Sequence, residues 1–225
     1  MCLLLETIRV ENGLPQNLEL HQARMNQARK ELFRCNAKLD LAKIIEAQMS
    51  SSGFLPDQQP CAIRPHSTAD LQSTPEEQKK HHKCRIIYAR DIETIEFLPY
   101  TLPTISTLKI LLDDQIDYSY KFHDRSRINT LFEKRAECDD ILIGKQGFIT
   151  DTSYANVLFY NGKEWLTSIH PLLKGTQRAL LLDKEIIRVA EIRLEDMRHF
   201  KKVRLVNAMI RFEDALDINI LNIHS

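Results

Sequence analysis

The sequence predicts an α+β protein built as two mixed layers, and three observations carry that prediction. An Asn12-Gly13 turn signal near the N-terminus separates two short strand-like runs. The apolar period then lengthens, so that residues 19–33 read as an amphipathic helix. The second half carries several short strand runs, one pair joined by Asn161-Gly162.

Taken in order, residues 3–10 read as a strand, Asn12-Gly13 as the turn and Leu14 to Leu18 as the return strand. From Glu19, a helix places Leu20, Ala23, Met25, Ala28, Leu32 and Phe33 on one side. A second helix is expected over Leu39 to Met49, ended by Ser50-Ser51-Ser52-Gly53. Pro56, Pro60, Pro65 and Pro75 interrupt residues 54–82, which show no clear period and read as a long connection. Lys83 to Arg90 and Ile92 to Tyr100 read as paired strands, and Thr101 to Pro103 as a break. Ile105 to Leu112 fits a strand or a short helix. Arg125 to Cys138 reads as a helix with Ile128, Leu131, Phe132 and Ala136 inward. Asp140 to Gly144, Phe148 to Thr150 and Asn156 to Tyr160 read as strands, the last turning at Asn161-Gly162 into Trp165-Leu166. Gly175-Thr176 enters a helix, Glu191 to Met197 follows, and Val203 to Met209 reads as a buried strand. The expected organisation is a smaller α+β domain over residues 1–100, a linker over 101–118 and a larger α+β domain over 119–225.

Composition narrows the function classes. The chain has 225 residues, with 31 basic and 31 acidic side chains that cancel. Zero net charge gives no reason to expect nucleic acid or an anionic membrane as partner, and no apolar run approaches the ~20 residues that span a bilayer. A small-molecule substrate fits better. Cys2, Cys35, Cys61, Cys84 and Cys138 are scattered without CxxC or Cys/His ligand spacing, which suggests reduced thiols rather than zinc or disulfides. With no basic leader before a long apolar run, the expected location is the cytoplasm. His81-His82 lies among Lys and Glu and reads as solvated loop, so no metal site is expected.

Two segments carry the chemistry. In Asp117-Tyr-Ser-Tyr-Lys-Phe-His-Asp-Arg-Ser-Arg127, Lys121 sits between aromatic rings and a charged cluster. In Gly147-Phe-Ile-Thr-Asp-Thr-Ser-Tyr-Ala-Asn156, Asp151 sits in a strand-turn-strand setting. A lysine near rings, with a carboxylate arriving from another strand, is the pair that pyridoxal phosphate chemistry uses. Gly175-Thr176 at a helix start offers free N–H groups and the positive end of the helix dipole, suited to an anion or to an ordinary cap by Thr176. Asn207-Ala208 ends a buried strand, where the asparagine serves an anion or ties down the next loop. Arg24 on the first helix, taken singly, reads first as a surface arginine.

In their order along the chain, Glu6-Thr-Ile-Arg9, His21-Gln-Ala-Arg24, Tyr120-Lys121 with Asp124-Arg125, Ile149-Thr-Asp-Thr-Ser-Tyr-Ala-Asn156, Leu172-Leu-Lys-Gly-Thr-Gln-Arg178 and Asn207-Ala-Met209 resemble the class IV aminotransferases. These are the fold-type IV pyridoxal phosphate enzymes, D-amino acid aminotransferase-like in fold, with the cofactor site between two domains. The resemblance covers nearly the whole chain except residues 50–82. It implies Lys121 as the Schiff-base lysine and proton shuttle, with Asp151 at a position where the family usually has Glu. It also implies Arg24, Gly175, Thr176, Asn207 and Ala208 on the cofactor phosphate, and Asn156 beside the carboxylate strand. Arg9 and Arg90 are the cationic candidates for a substrate carboxylate. A homodimer is implied too. Three functions follow: 4-amino-4-deoxychorismate lyase, favoured by the Lys121-x-x-Asp124-Arg125 pattern; an amino acid transaminase of branched-chain or D-amino acid type; and a cofactor-binding or interaction protein with little catalysis.

Overall fold

Strand β1 (Leu4–Glu11) turns through Asn12 and Gly13, both at positive φ, into the short β2 (Leu14–Pro15). The Gln16 amide still donates to the Arg9 carbonyl at 2.8 Å, but Asn17 takes a positive φ as the N-cap of the following helix, so the expected return strand to residue 18 ends before it. Helices α1 (Leu18–Phe33) and α2 (Leu41–Ser51) follow, and then β3 (His81–Tyr88) and β4 (Ile92–Tyr100). The computed structural model describes residues 2–51 and 81–225, so the long connection expected before residue 81 lies outside the described residues. The first sheet is antiparallel with strand order β2-β1-β3-β4. His81 and His82, expected in a loop, begin β3 and pair with Tyr100 and Pro99 of β4.

The second sheet has nine strands. Its chain order is β5 (Leu108–Leu112), α3 (Ser126–Phe132), β6 (Asp140–Lys145), β7 (Phe148–Thr152), β8 (Asn156–Tyr160), β9 (Trp165–Ser168), α4 (Thr176–Asp183), β10 (Ile187–Ala190) and β11 (Lys202–Val206). Two short strands, β12 (Ile218–Asn219) and β13 (Ile223–His224), complete it. β5, inside the expected linker, is a member of this sheet, parallel to β6. Helix α3 ends at Phe132 rather than continuing to Cys138, and Ala136 takes a positive φ that a helix does not allow. β10, which the sequence did not suggest, pairs parallel with β9.

Alternation along β1 sorts its side chains to two faces. Leu4, Ile8 and Val10 join Met25, Ala28, Leu41 and Ile45 in a core between the first sheet and helices α1 and α2. Each fully buried Leu or Ile there contributes about 1.5–3 kcal/mol of hydrophobic stabilisation. The opposite face, with Leu5, Thr7, Lys83 and Arg85, looks onto a cavity shared with the second sheet.

Arg9 also points away from that core, but an ion network takes its guanidinium out of the cavity. Its Nη1 donates to the Met209 carbonyl and to Asp214 Oδ2, both at 2.7 Å, and its Nε donates to Glu11 Oε1 at 2.9 Å. Nη2 lies 2.9 Å from His81 Nε2, and Arg211 closes the network onto Glu11 and Asp214. Arg9 therefore joins β1 and β3 to the loop after β11. Arg90 sits exposed in the turn after β3, where its carbonyl accepts from Arg29 Nε at 2.8 Å. Neither of the two arginines expected to receive a substrate carboxylate lines the cavity.

Removing one partner of a buried ion pair leaves the others uncompensated. Arg9→Met is expected to lower stability by about 3 kcal/mol, whereas Arg90→Met should change it by less than about 0.5 kcal/mol. Urea unfolding of the two variants beside the native protein checks this.

Candidate active site

The cavity between the two sheets holds about 350 Å³, within the range of small-molecule sites. Lys121 lines it. The segment carrying Lys121 is bound to β1 like an added strand: the Leu5 amide donates to the Lys121 carbonyl and the His123 amide to the Leu3 carbonyl, both at 2.9 Å, with Leu4 bridged to Phe122. Tyr118 Oη donates to the Phe122 carbonyl at 2.7 Å and fixes the same segment from the other side. Burial, then the Arg24 and Arg125 cations, bring the Lys121 amine down from 10.5 to about 8, against the pull of Glu6.

Asp151 lies on β7 opposite Asn156 of β8. Asn156 Nδ2 donates to Asp151 Oδ1 at 2.8 Å, and the Leu173 amide donates to Oδ2 at 2.9 Å. Burial raises the Asp151 carboxyl from 3.8 to about 6, although these two bonds and the nearby Arg178 favour its ionised form. Asn156 Nδ2 also donates to the Leu173 carbonyl at 2.9 Å, so its amide cannot swing. Its Oδ1 is turned to Gly175, where a Cβ would come within 2.1 Å of it. Only glycine fits beside an asparagine held in this way.

Gly175 is the N-cap of α4 and Thr176 its first residue, so Thr176 is not the expected side-chain cap. The N–H groups at the start of α4 lack helical acceptors. Thr176 Oγ1 instead meets His21 Nε2 at 3.3 Å. His21 Nδ1 donates to Glu6 Oε2 at 2.6 Å, and burial lowers the His21 pKa despite that partner. In the neutral ring Nε2 is then an acceptor, and the Thr176 hydroxyl donates to it.

Glu6 is fully buried on the helix-facing side of β1. Burial pushes its carboxyl up, but Arg24 and His21 outweigh it and hold the pKa at about 2. Arg24 grips it twice, through Nε at 2.9 Å and Nη2 at 2.6 Å, and among the described residues its Nη1 remains uncommitted. Glu6 and His21 stood in the quoted motifs without a role. The signals were there: an acid at a core-facing position of β1, and a histidine three residues before Arg24 on the same helix face.

Arg24, Gly175, Thr176, Asn207 and Ala208 line the same cavity as Lys121, Asp151 and Asn156. Asn207, one residue beyond β11, spends its side chain on the chain itself. Its Oδ1 accepts from the Met209 and Ile210 amides at 2.8 and 3.0 Å, and its Nδ2 donates to the Tyr154 carbonyl at 3.2 Å. Of the two roles the sequence left open, the observed bonds are those that tie down the loop.

This donor set fits pyridoxal phosphate. Arg24 Nη1 and the start of α4 suit a phosphate, the buried Asp151 carboxyl suits a ring nitrogen, and Lys121 is an amine that deprotonates near neutral pH. Among the described residues no cluster of His, Cys, Asp and Glu could hold a metal ion.

Gly175→Ala is expected to cost about 2 kcal/mol of stability through the clash with Asn156, measured by thermal or urea unfolding. Asp151 gives a pH test. Its folded pKa of about 6 lies above the 3.8 of the free group, so its stabilising contribution is complete below pH 3.8 and is lost as pH rises through about 6. Without cofactor, the native protein should lose stability relative to Asp151→Asn across that window, and a flat difference would contradict the buried carboxyl.

A family model described as amino-transferase class IV matches residues 3–212. An uncharacterized protein of Haemophilus influenzae is 35% identical over 206 residues, which cover 92% of this chain and 97% of that protein. A crystal structure from Haemophilus somnus 129PT, provisionally named a 4-amino-4-deoxychorismate lyase, is 34% identical. The match covers 93% of this chain and 97% of that one, with a TM-score of 0.75. A hypothetical aminotransferase of Mycobacterium tuberculosis, in its PLP-bound form, shares the fold at 15% identity and a TM-score of 0.68, over 96% of this chain and 80% of its own.

Proposed function

The chain belongs to the class IV aminotransferase family of pyridoxal-phosphate-dependent enzymes, and from that premise we propose that it is a 4-amino-4-deoxychorismate lyase, releasing 4-aminobenzoate and pyruvate for folate synthesis. The observation that carries the reading is Lys121: an amine fixed to β1 by backbone bonds, brought to about 8 by burial and two arginines, in one cavity with the clasped Asp151 carboxyl. The likeness to the Haemophilus somnus protein favours the lyase over a transaminase.

Lys121 would hold the cofactor's aldehyde end, Asp151 its ring nitrogen, and Arg24 with the N–H groups of Gly175-Thr176 its phosphate. Asn207 and Ala208 border that end through a turn fixed by the Asn207 side chain, and Asn156 keeps Asp151 in place. Pyridoxal phosphate, when bound, supplies the electron-accepting ring that lets a proton leave the amine-bearing carbon. The neutral Lys121 amine takes that proton, the carbon–oxygen bond to the enolpyruvyl group breaks, and the six-membered ring becomes aromatic. Protonation of the departing enol carbon by the Lys121 ammonium gives pyruvate, so the proton is returned and atoms balance. An amine with a pKa of about 8 serves both directions near neutral pH.

A transaminase would use the same lysine to move a proton between two carbons. A fold that binds cofactor with little catalysis is the remaining reading, left open by the shorter Asp151 side chain. The free thiols among the described residues accord with a cytoplasmic enzyme, and a homodimer is part of the proposal by family likeness.

Borohydride reduction should fix the yellow cofactor to the native chain and leave Lys121→Ala unlabelled. Pyruvate release from aminodeoxychorismate, run beside an amino-donor screen with 2-oxoglutarate, should be positive in the first assay and at least ~100-fold weaker in Lys121→Ala. Transamination without pyruvate release would replace the lyase by the second reading, and silence in both with cofactor bound would favour the third.

A further inference from the structure

Glu6 Oε2, the two ring nitrogens of His21 and Thr176 Oγ1 form an acid–imidazole–hydroxyl chain, with contacts of 2.6 and 3.3 Å. The three residues come from β1, α1 and α4, and all are buried, at 0%, 1% and 4% exposure. Of the three, only Thr176 lines the cavity. The two contacts are unequal. The short one, to a carboxylate, is charge-assisted and keeps the proton of the neutral ring on Nδ1. The longer one joins two neutral groups and is the weaker of the pair. A hydroxyl has a single proton. While Thr176 gives it to His21 Nε2, its oxygen offers the cavity only lone pairs. The neighbouring groups, Arg24 Nη1 and the N–H groups at the start of α4, suit an anion. In a donor set for an anion, the Thr176 hydroxyl alone is turned the wrong way.

We infer that His21 is a positioning residue for the cofactor phosphate: the phosphate accepts a hydrogen bond from the Thr176 hydroxyl, His21 takes up one proton from solvent at Nε2, and the new N–H donates to Thr176 Oγ1. The inference rests on the reading that a phosphate lies at the start of α4. The only bond made is that N–H, so binding the anion consumes one proton. The charged groups facing His21 make the two events depend on each other. Glu6 from β1 favours the imidazolium, whereas Arg24 on its own helix and Lys121 from the segment beside β1 oppose it. With burial, the two cations hold the ring neutral until an anion arrives. A phosphate on Arg24 offsets part of that opposition and leaves Glu6 to pair the imidazolium. Moving the Nδ1 proton to Nε2 instead would set a bare ring nitrogen against the Glu6 carboxylate at 2.6 Å.

Nitrogen NMR of protein labelled in its histidine rings reads the charge of His21 directly, and the downfield Nδ1 proton shared with Glu6 identifies the signal. At neutral pH the cofactor-free native protein should show a neutral ring protonated at Nδ1. Pyridoxal phosphate and inorganic phosphate should each convert it to the doubly protonated form, whereas pyridoxal, which lacks the phosphate, should not. Thr176→Val keeps the N–H groups of α4 and removes the hydroxyl. It should leave His21 neutral with pyridoxal phosphate bound and weaken that binding about tenfold, with pyridoxal binding as in the native protein. Thr176→Ser should restore both. Pyridoxal phosphate bound beside a neutral His21 would overturn the inference and leave the proposed function standing, and so would charging by pyridoxal alone. Charging by inorganic phosphate, in a chain on which borohydride fixes no pyridoxal phosphate, supports the inference while removing the proposed function.

Discussion

The Glu6 carboxylate is fully buried between β1 and α1, and it stays ionised there because Arg24 and His21 arrive together from one face of the helix. Taking a carboxylate out of water costs several kcal/mol unless it is paired and hydrogen-bonded, so only one rotation of α1 on the sheet is tolerated. That rotation points the free edge of Arg24 into the cavity. It also sets His21 Nε2 against Thr176, the first residue of a helix in the other half of the molecule. One buried acid thus fixes Arg24 at the cavity, and through one histidine it meets the start of α4.

Burial acts in opposite senses on the two groups at the heart of the cavity. It lowers Lys121 to about 8 and raises Asp151 to about 6, so both approach neutrality from opposite sides. The local partners differ in kind. Lys121 has two arginines that reinforce the shift and one carboxylate, Glu6, that opposes it, while Asp151 has an amide, an asparagine and an arginine that all oppose it. An acid and a base with separated environments are the usual basis for assigning proton donors and acceptors at neutral pH.

Much of this was legible in the sequence where the signal was local. The Asn12-Gly13 turn, the period of α1, the pairing partner of β3 and the Asp151–Asn156 turn each depend on a few adjacent residues. Lys121, Asp151, Arg24 and Gly175 could be placed by motif, and the structure brings them around one cavity. What could not be read were interactions across long separations. Arg9 alternates to the cavity side as a substrate-binding arginine should, but Asp214 and the Met209 carbonyl, some 200 residues away, meet it first. Thr176 looks like a cap, until His21 arrives from 155 residues earlier. The segment 105–112 carries no helical or strand bias strong enough to decide its fate, and its pairing with β6 and β13 makes it β5.

The backbone bridge between residues 3–5 and 121–123 has a consequence for how the molecule is made. It closes a loop of well over a hundred residues, and its partners belong to opposite halves of the chain. Such closures carry the largest entropy cost and tend to form after the local hairpins and helices. During synthesis, β1 must wait for the ribosome to deliver Lys121 and later Asp151 and α4. The cavity lining is therefore complete only once both halves of the chain have been made and joined, and a shorter nascent chain lacks part of its walls.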